Sequence, residues 1–468
     1  MAPPVAGPSS FLDSIRVWMI AHGIVGRADL PIPVALFAAA AAAVLVVSFV
    51  ALAAGWSRPR LKRWRERPLV RIPVVVEVLL GAAGVLVFAV VAYAGLAGTD
   101  TQQQNLAPTA VYVGFWVGIP FLSLLLGDVF RLLSPWRAIG RLTGWVAARA
   151  GGDAMPEPLP YPDRLGHWPA ALGIAAFAIC ELCWAAARDP GPLAVLMLVY
   201  LAIQLVGMSL YGVEAWTRRG DAFGVWFGLI ARLAPLGRRA DGRLVLRPPV
   251  VATTSLVAVA GTTAVLLVGI GTTAFDGARE GPLFNGIVTD LQDGFTGVGL
   301  SKGFGLELGF VVGLLISIAV VTAIWFAGVS GMPRDGLRVS RRELGRRFVH
   351  TLIPIAAAYL VAHYFSLLAY NGQDLWRLAS DPLGDGSDLF GGAGSSTDYS
   401  VVSATGIWYV QVGALVVGHV AGLVLAHDRA LSVYGSPRAA ARSQIVMLGV
   451  MVLFTLLGLW LLSAALNT

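Results

Sequence analysis

The sequence predicts an all-α fold: a polytopic transmembrane helix bundle of about ten spans with both termini on the outer face. Three observations carry this. Of the 468 residues 57% are hydrophobic and 13% charged, whereas a soluble domain carries about 25% charged residues. Ten apolar stretches approach the roughly 20 residues that a helix needs to cross the hydrocarbon core. The basic residues between them alternate between rich and poor loops.

Taken in order, residues 1–30 read as an outer-face interfacial segment. Asp13, Arg16 and His22 interrupt its apolar run, and without a small-residue cleavage site it does not read as a signal peptide. The remainder, 31–468, reads as one helical domain. Its spans are expected near 31–55, 72–95, 109–130, 168–187, 192–213, 249–272, 306–328, 348–370, 405–427 and 443–465.

Lys and Arg mark cytoplasmic loops. Seven basic residues fall in Arg58–Arg71, five between Arg131 and Arg164, seven in Arg218–Arg247, six in Arg334–Arg347 and three in Arg429–Arg442, which is 28 of 34. The other side keeps only Arg16, Arg27, Arg188, Arg279, Lys302 and Arg377. The net charge of +7 is therefore spread over topology determinants, and no clustered site for nucleic acid exists. Within the third basic loop, 222–237 is too short to cross and reads as an amphipathic helix on the inner leaflet. The outer loops 273–305 and 371–404 are long and rich in Gly and Asp. Asp381, Asp385 and Asp388 lack the ligand spacing of a calcium loop.

Ionisable groups inside a membrane are costly and face a bundle interior or a wet cavity. In the eighth span Tyr359, His363, Ser366 and Tyr370 recur on one helix face, and Pro354 is expected to kink the same helix. The ninth span brings Gln411 and His419, with Gly418 and Gly422 spaced for close helix approach. Measured from span midpoints, His363, Gln411 and Glu181 lie roughly 6, 7 and 5 Å toward the outside, and His419 roughly 5 Å inside. Glu181, His363, Gln411 and Tyr359 are accordingly expected to line an outward-opening polar cavity; the competing reading is a set of separate interhelical hydrogen bonds.

No cofactor is predicted. Cys180 and Cys183 are weak candidates for a soft transition metal, and they read first as small buried apolar residues. The sequence contains no H-E-x-x-H or P-loop motif, so a hydrolytic site would have to be assembled from separate helices.

Several segments carry a resemblance: Ala21-His22-Gly23 leading to Asp29-Leu30-Pro31-Ile32-Pro33, Ala274-Phe275-Asp276-Gly277, His363-Tyr364-Phe365-Ser366 through Gly372-Gln373, and Gly418-His419 through His427-Asp428-Arg429-Ala430-Leu431. Together the chain resembles a family of bacterial, often actinobacterial, polytopic membrane proteins carried under the name fenitrothion hydrolase. The resemblance implies cleavage of an organophosphate ester and assigns no catalytic residue. The expectations are thus a multispanning bacterial plasma-membrane protein whose partners are the lipid bilayer and a small solute or ion handled at the polar site. An organophosphate hydrolase is the alternative, and a membrane assembly or metal-delivery factor a further one.

Overall fold

The computed structural model describes residues 34–151, 157–239, 241–334 and 337–464. The expected interfacial segment 1–30 lies outside them. Among the described residues the architecture is a helical bundle: α1 (Val34–Gly55), α2 (Val74–Ala97), α3 (Leu106–Leu126), α4 (Pro135–Gly151), α5 (Trp168–Cys183), α6 (Pro190–Tyr211), α7 (Val213–Arg219), α8 (Ala222–Ile230), α9 (Thr262–Ala278), α10 (Pro282–Gly297), α11 (Lys302–Ser330), α12 (Arg341–Phe348), α13 (Leu352–Asn371), α14 (Asp374–Ser380), α15 (Ala404–Tyr434), α16 (Pro437–Ser443) and α17 (Ile445–Ala464). Among the described residues seven stretches are long and apolar enough to cross a membrane: α1, α2, α3, α6, α11, the continuous α12–α13 and α15. The α16–α17 pair, bent by 41°, makes an eighth, while α5 and α9 are apolar but shorter.

Apolar residues all around a helix signal burial or a lipid face. Burial separates the two, since 72% of the apolar window of α12–α13 is buried against 11% in α1 and α2. α13 is therefore a central helix and α1 and α2 are peripheral. α15 packs closely along α13, because a Cβ on Gly418 would fall 2.3 Å from the Ala358 methyl and 2.7 Å from the Pro354 carbonyl. Pro354 does not kink α13 midway. It lies in the first turn, and the residue whose carbonyl it cannot satisfy, His350, sits in the 3-10 segment Val349–Thr351 that joins α12 to α13; the proline thus locally tightens the helix one turn upstream within a stretch that stays continuous.

Two expectations are corrected. α8 is not a half-exposed inner-leaflet helix: Phe223, Val225, Trp226, Phe227, Leu229 and Ile230 are all buried, and Trp226 lies so close to α9 that a Cβ on Gly269 would be 2.3 Å from its ring. An apolar helix without a polar face gains more from protein packing than from the interface. The sixth apolar stretch, expected over 249–272, becomes the 3-10 segment Val251–Ser255 followed by α9, so the supposed outer loop 273–305 holds the end of α9, all of α10 and the start of α11.

The first and third basic loops meet in an antiparallel sheet of β1 (Arg67–Arg71), β2 (Leu236–Arg238) and β3 (Arg243–Leu246), with β3 central. Glu66 joins it by ion pairs to Arg239 (3.0 Å) and Arg247 (3.5 Å).

Candidate functional site

α5 and α9 begin at one clamp. The His167 N–H donates to the Ala260 carbonyl at 2.6 Å, and His167 Nδ1 lies 3.1 Å from Thr262 Oγ1. Gly261 closes the joint: its φ of +80° suits glycine, and a Cβ there would lie 2.5 Å from the Trp168 nitrogen. From this clamp Glu181 follows His167, and Asp276 follows Thr262, by the same fourteen residues, about 21 Å of helix in both cases. The two carboxylates therefore reach one level near the far ends of α5 and α9.

There α13 supplies the partners. Asp276 Oδ2 lies 2.9 Å from His363 Nε2 and accepts the Tyr364 hydroxyl at 3.0 Å, while Oδ1 is 3.0 Å from Arg279 Nε. Arg279 Nη1 donates to the Leu182 carbonyl at 3.0 Å. That carbonyl lies in the last turn of α5, where backbone acceptors lack helical donors and a cation is favoured. Glu181 is buried, and its Oε2 has no hydrogen-bond partner among the described residues; the charges acting on it are Asp276, Arg279 and Arg188. Glu280 is buried beside Arg279. Tyr112 of α3 donates to the Ala187 carbonyl at 2.6 Å and borders Glu181 and Arg188.

Formal charge sets what this cluster can do. Asp276, Glu181 and Glu280 face Arg279 and Arg188, so with all three carboxyls ionised the set carries one net negative charge when His363 is neutral and none when it is protonated, and each carboxyl that holds a proton raises that count by one. The His363 side chain is 18% exposed and Asp276 only 2%, which makes the imidazole the accessible edge of a buried carboxylate.

Among the sequence candidates, Glu181 and His363 meet here through Asp276. The others go elsewhere. Tyr359 donates to the Phe454 carbonyl of α17 at 2.7 Å, and His419 Nδ1 lies 2.7 Å from the Leu415 carbonyl with its ring 6.1 Å from that of Tyr359. Ser366 is buried. Gln411 is half-buried and joins none of the hydrogen bonds of the Asp276 cluster among the described residues. Matching depth says nothing of direction around the helix axis: Gln411 lies seven residues before Gly418, on the face of α15 that meets Ala358, whereas His363 leaves α13 toward α9. Cys183 is buried and Cys180 half-buried, both as free thiols, and no group of three or more His, Cys, Asp or Glu converges at metal-binding distance among the described residues.

Asp276, Arg279, Tyr364, Arg188 and Glu280 were not singled out by sequence reasoning, because hydropathy alone put all but Tyr364 outside the spans. The available signals were Gly261 before Thr262, a helix start thirteen residues later than hydropathy implied, and Asp276 within one of the segments carrying the family resemblance. No family model matches the chain, and neither a curated protein nor a solved structure matches it.

Proposed function

We propose that the chain is a ten-span bacterial plasma-membrane protein that handles a small solute or ion at the His363–Asp276 cluster, with proton exchange on His363 as part of the cycle. The carrying observation is the buried carboxylate shared by His363, Tyr364 and Arg279, beside a Glu181 oxygen that has no partner among the described residues. Intramembrane ionisable groups of this kind line proton and ion paths. The two shorter helices α5 and α9 complete the count of ten, and the cluster lies toward the outer end of both. Proteoliposomes on a solid-supported membrane, stepped in pH and across a panel of small ions and solutes, should give currents with the wild type that Asp276→Asn and His363→Phe abolish. Unchanged currents in both folded variants reject the reading.

A second reading rests on the same pair. A histidine oriented by a buried aspartate is a general-base arrangement, and the resemblance to the fenitrothion hydrolase family supplies an organophosphate ester as substrate. It calls for His363-dependent release of the nitrophenol from fenitrothion, read by its colour.

A further inference from the structure

We propose that the protein binds an anionic phospholipid where α6 turns into α7, one acyl chain lying in an apolar groove and the phosphate meeting Arg218 and Arg219. The turn is made at Gly212, whose φ is +80°, and it folds Trp216 back onto α6. Gln204 Oε1 accepts the Trp216 indole N–H at 2.8 Å, and Gly207 admits the ring, since a Cβ there would fall 2.1 Å from it. The result is a groove of about 400 Å³ lined by Val199, Ile203, Val206, Leu210, Tyr211 and Trp216. Its four aliphatic side chains are exposed, so the groove opens away from the bundle, as an acyl chain requires.

The aromatic end of the groove leads to positive charge. Tyr161 packs on Tyr211 with ring centroids 5.2 Å apart, and the Arg219 guanidinium is 5.5 Å from the Tyr161 ring. Arg131, Arg137 and Arg218 lie 2.7, 2.6 and 3.7 Å from the single carboxylate Glu214. Arg219 has Asp163 at 3.3 Å, a side chain 98% exposed. Four guanidiniums against two carboxylates leave two positive charges beside an apolar slot. A zwitterionic headgroup would bring its own cation to that patch, whereas an anionic one neutralises it.

The test uses the purified full chain, delipidated in detergent and offered equal phosphatidylglycerol and phosphatidylcholine, with retained lipid read by native mass spectrometry. Phosphatidylglycerol should be retained preferentially, and the preference should fall about fivefold for each arginine removed in Arg218→Gln and Arg219→Gln. Ala202→Trp, which fills the groove, should abolish retention with the melting temperature unchanged. Should that variant not fold, the arginine variants decide alone. Equal retention of both lipids by the wild type, an undiminished preference in the double arginine variant, or displacement by inorganic phosphate would each overturn the proposal.

Discussion

Asp276 bonds through one oxygen to both an imidazole and a phenol of α13 while its other oxygen faces Arg279. One side chain therefore ties α9 to α13 and, through Arg279, to the end of α5. At the opposite end of those helices His167, which lies outside the apolar segments, does a similar job through Thr262 and the Ala260 carbonyl. Desolvation of its ring, aided by the Arg219 charge, pushes its pKa down to about 4 from 6.5. The unfolded chain then takes up a proton that the folded one refuses, so stability falls as pH drops from about 6.5 toward 4 and levels off below. Melting curves across that window should show this slope, and His167→Gln should flatten it. An equal slope in the variant would remove His167 as its source.

At the scale of elements, glycines decide which helices approach. At Gly261 a substituent meets both a left-handed backbone, costing about 1–2 kcal/mol, and the Trp168 nitrogen. At Gly418 it meets the backbone of α13, whereas at Gly413 on the same helix nothing lies within 4 Å. Gly261→Ala and Gly418→Ala should each destabilise by at least about 1–2 kcal/mol, and Gly413→Ala should be neutral or stabilising by up to about 1 kcal/mol. Gly261→Ala should also weaken activity, since it shifts α5 against α9 and spoils the matched level of Glu181 and Asp276. Calorimetry in detergent with a parallel transport assay separates the two effects; three equal losses would reject the packing argument. The same elements show what was legible in sequence. Helix existence and the Gly418–Gly422 contact follow from hydropathy and spacing, which are local. The start of α9, and with it Asp276, depends on a clamp between residues 167 and 262 that no local pattern contains. The burial of α8 likewise depends on neighbours contributed by α5 and α9.

For the whole molecule, hydrogen bonds and ion pairs sort the loops into two sets. In one, Glu66 pairs with Arg239, Asp428 accepts from the Arg60 and Leu61 amides, Arg429 donates to the Thr254 carbonyl and Tyr434 to the Pro333 carbonyl. In the other, Thr99 donates to the Leu383 carbonyl, Gln102 to Asp189 and Arg377 to the Gln103 carbonyl. With Asp163 paired to Arg219 at 3.3 Å, the first set takes in the loops and flanks that hold 28 of the 34 basic residues. Two ends of a bundle are thus defined by contacts, and the topology proposed above takes the first as cytoplasmic, since Lys and Arg resist translocation. The proposed count of ten crossings requires each successive span to return to the other set, with α5 and α9 counted as spans despite their length. Reporters that work only in the cytoplasm, fused after truncation at Arg65, Arg239 and Arg342, should be active, while those at Asp100, Asp290 and Asp388 should be silent. The fusion at Asp290 is the most discriminating, as it follows α9 directly: activity there means α9 does not cross, which would place Asp276 and Arg279 at the wrong end of the bundle for a site that opens outward. Activity at Asp388 with silence at Asp290 would instead move the error to the later half, between α11 and α13, and leave the pairing of α5 with α9 intact.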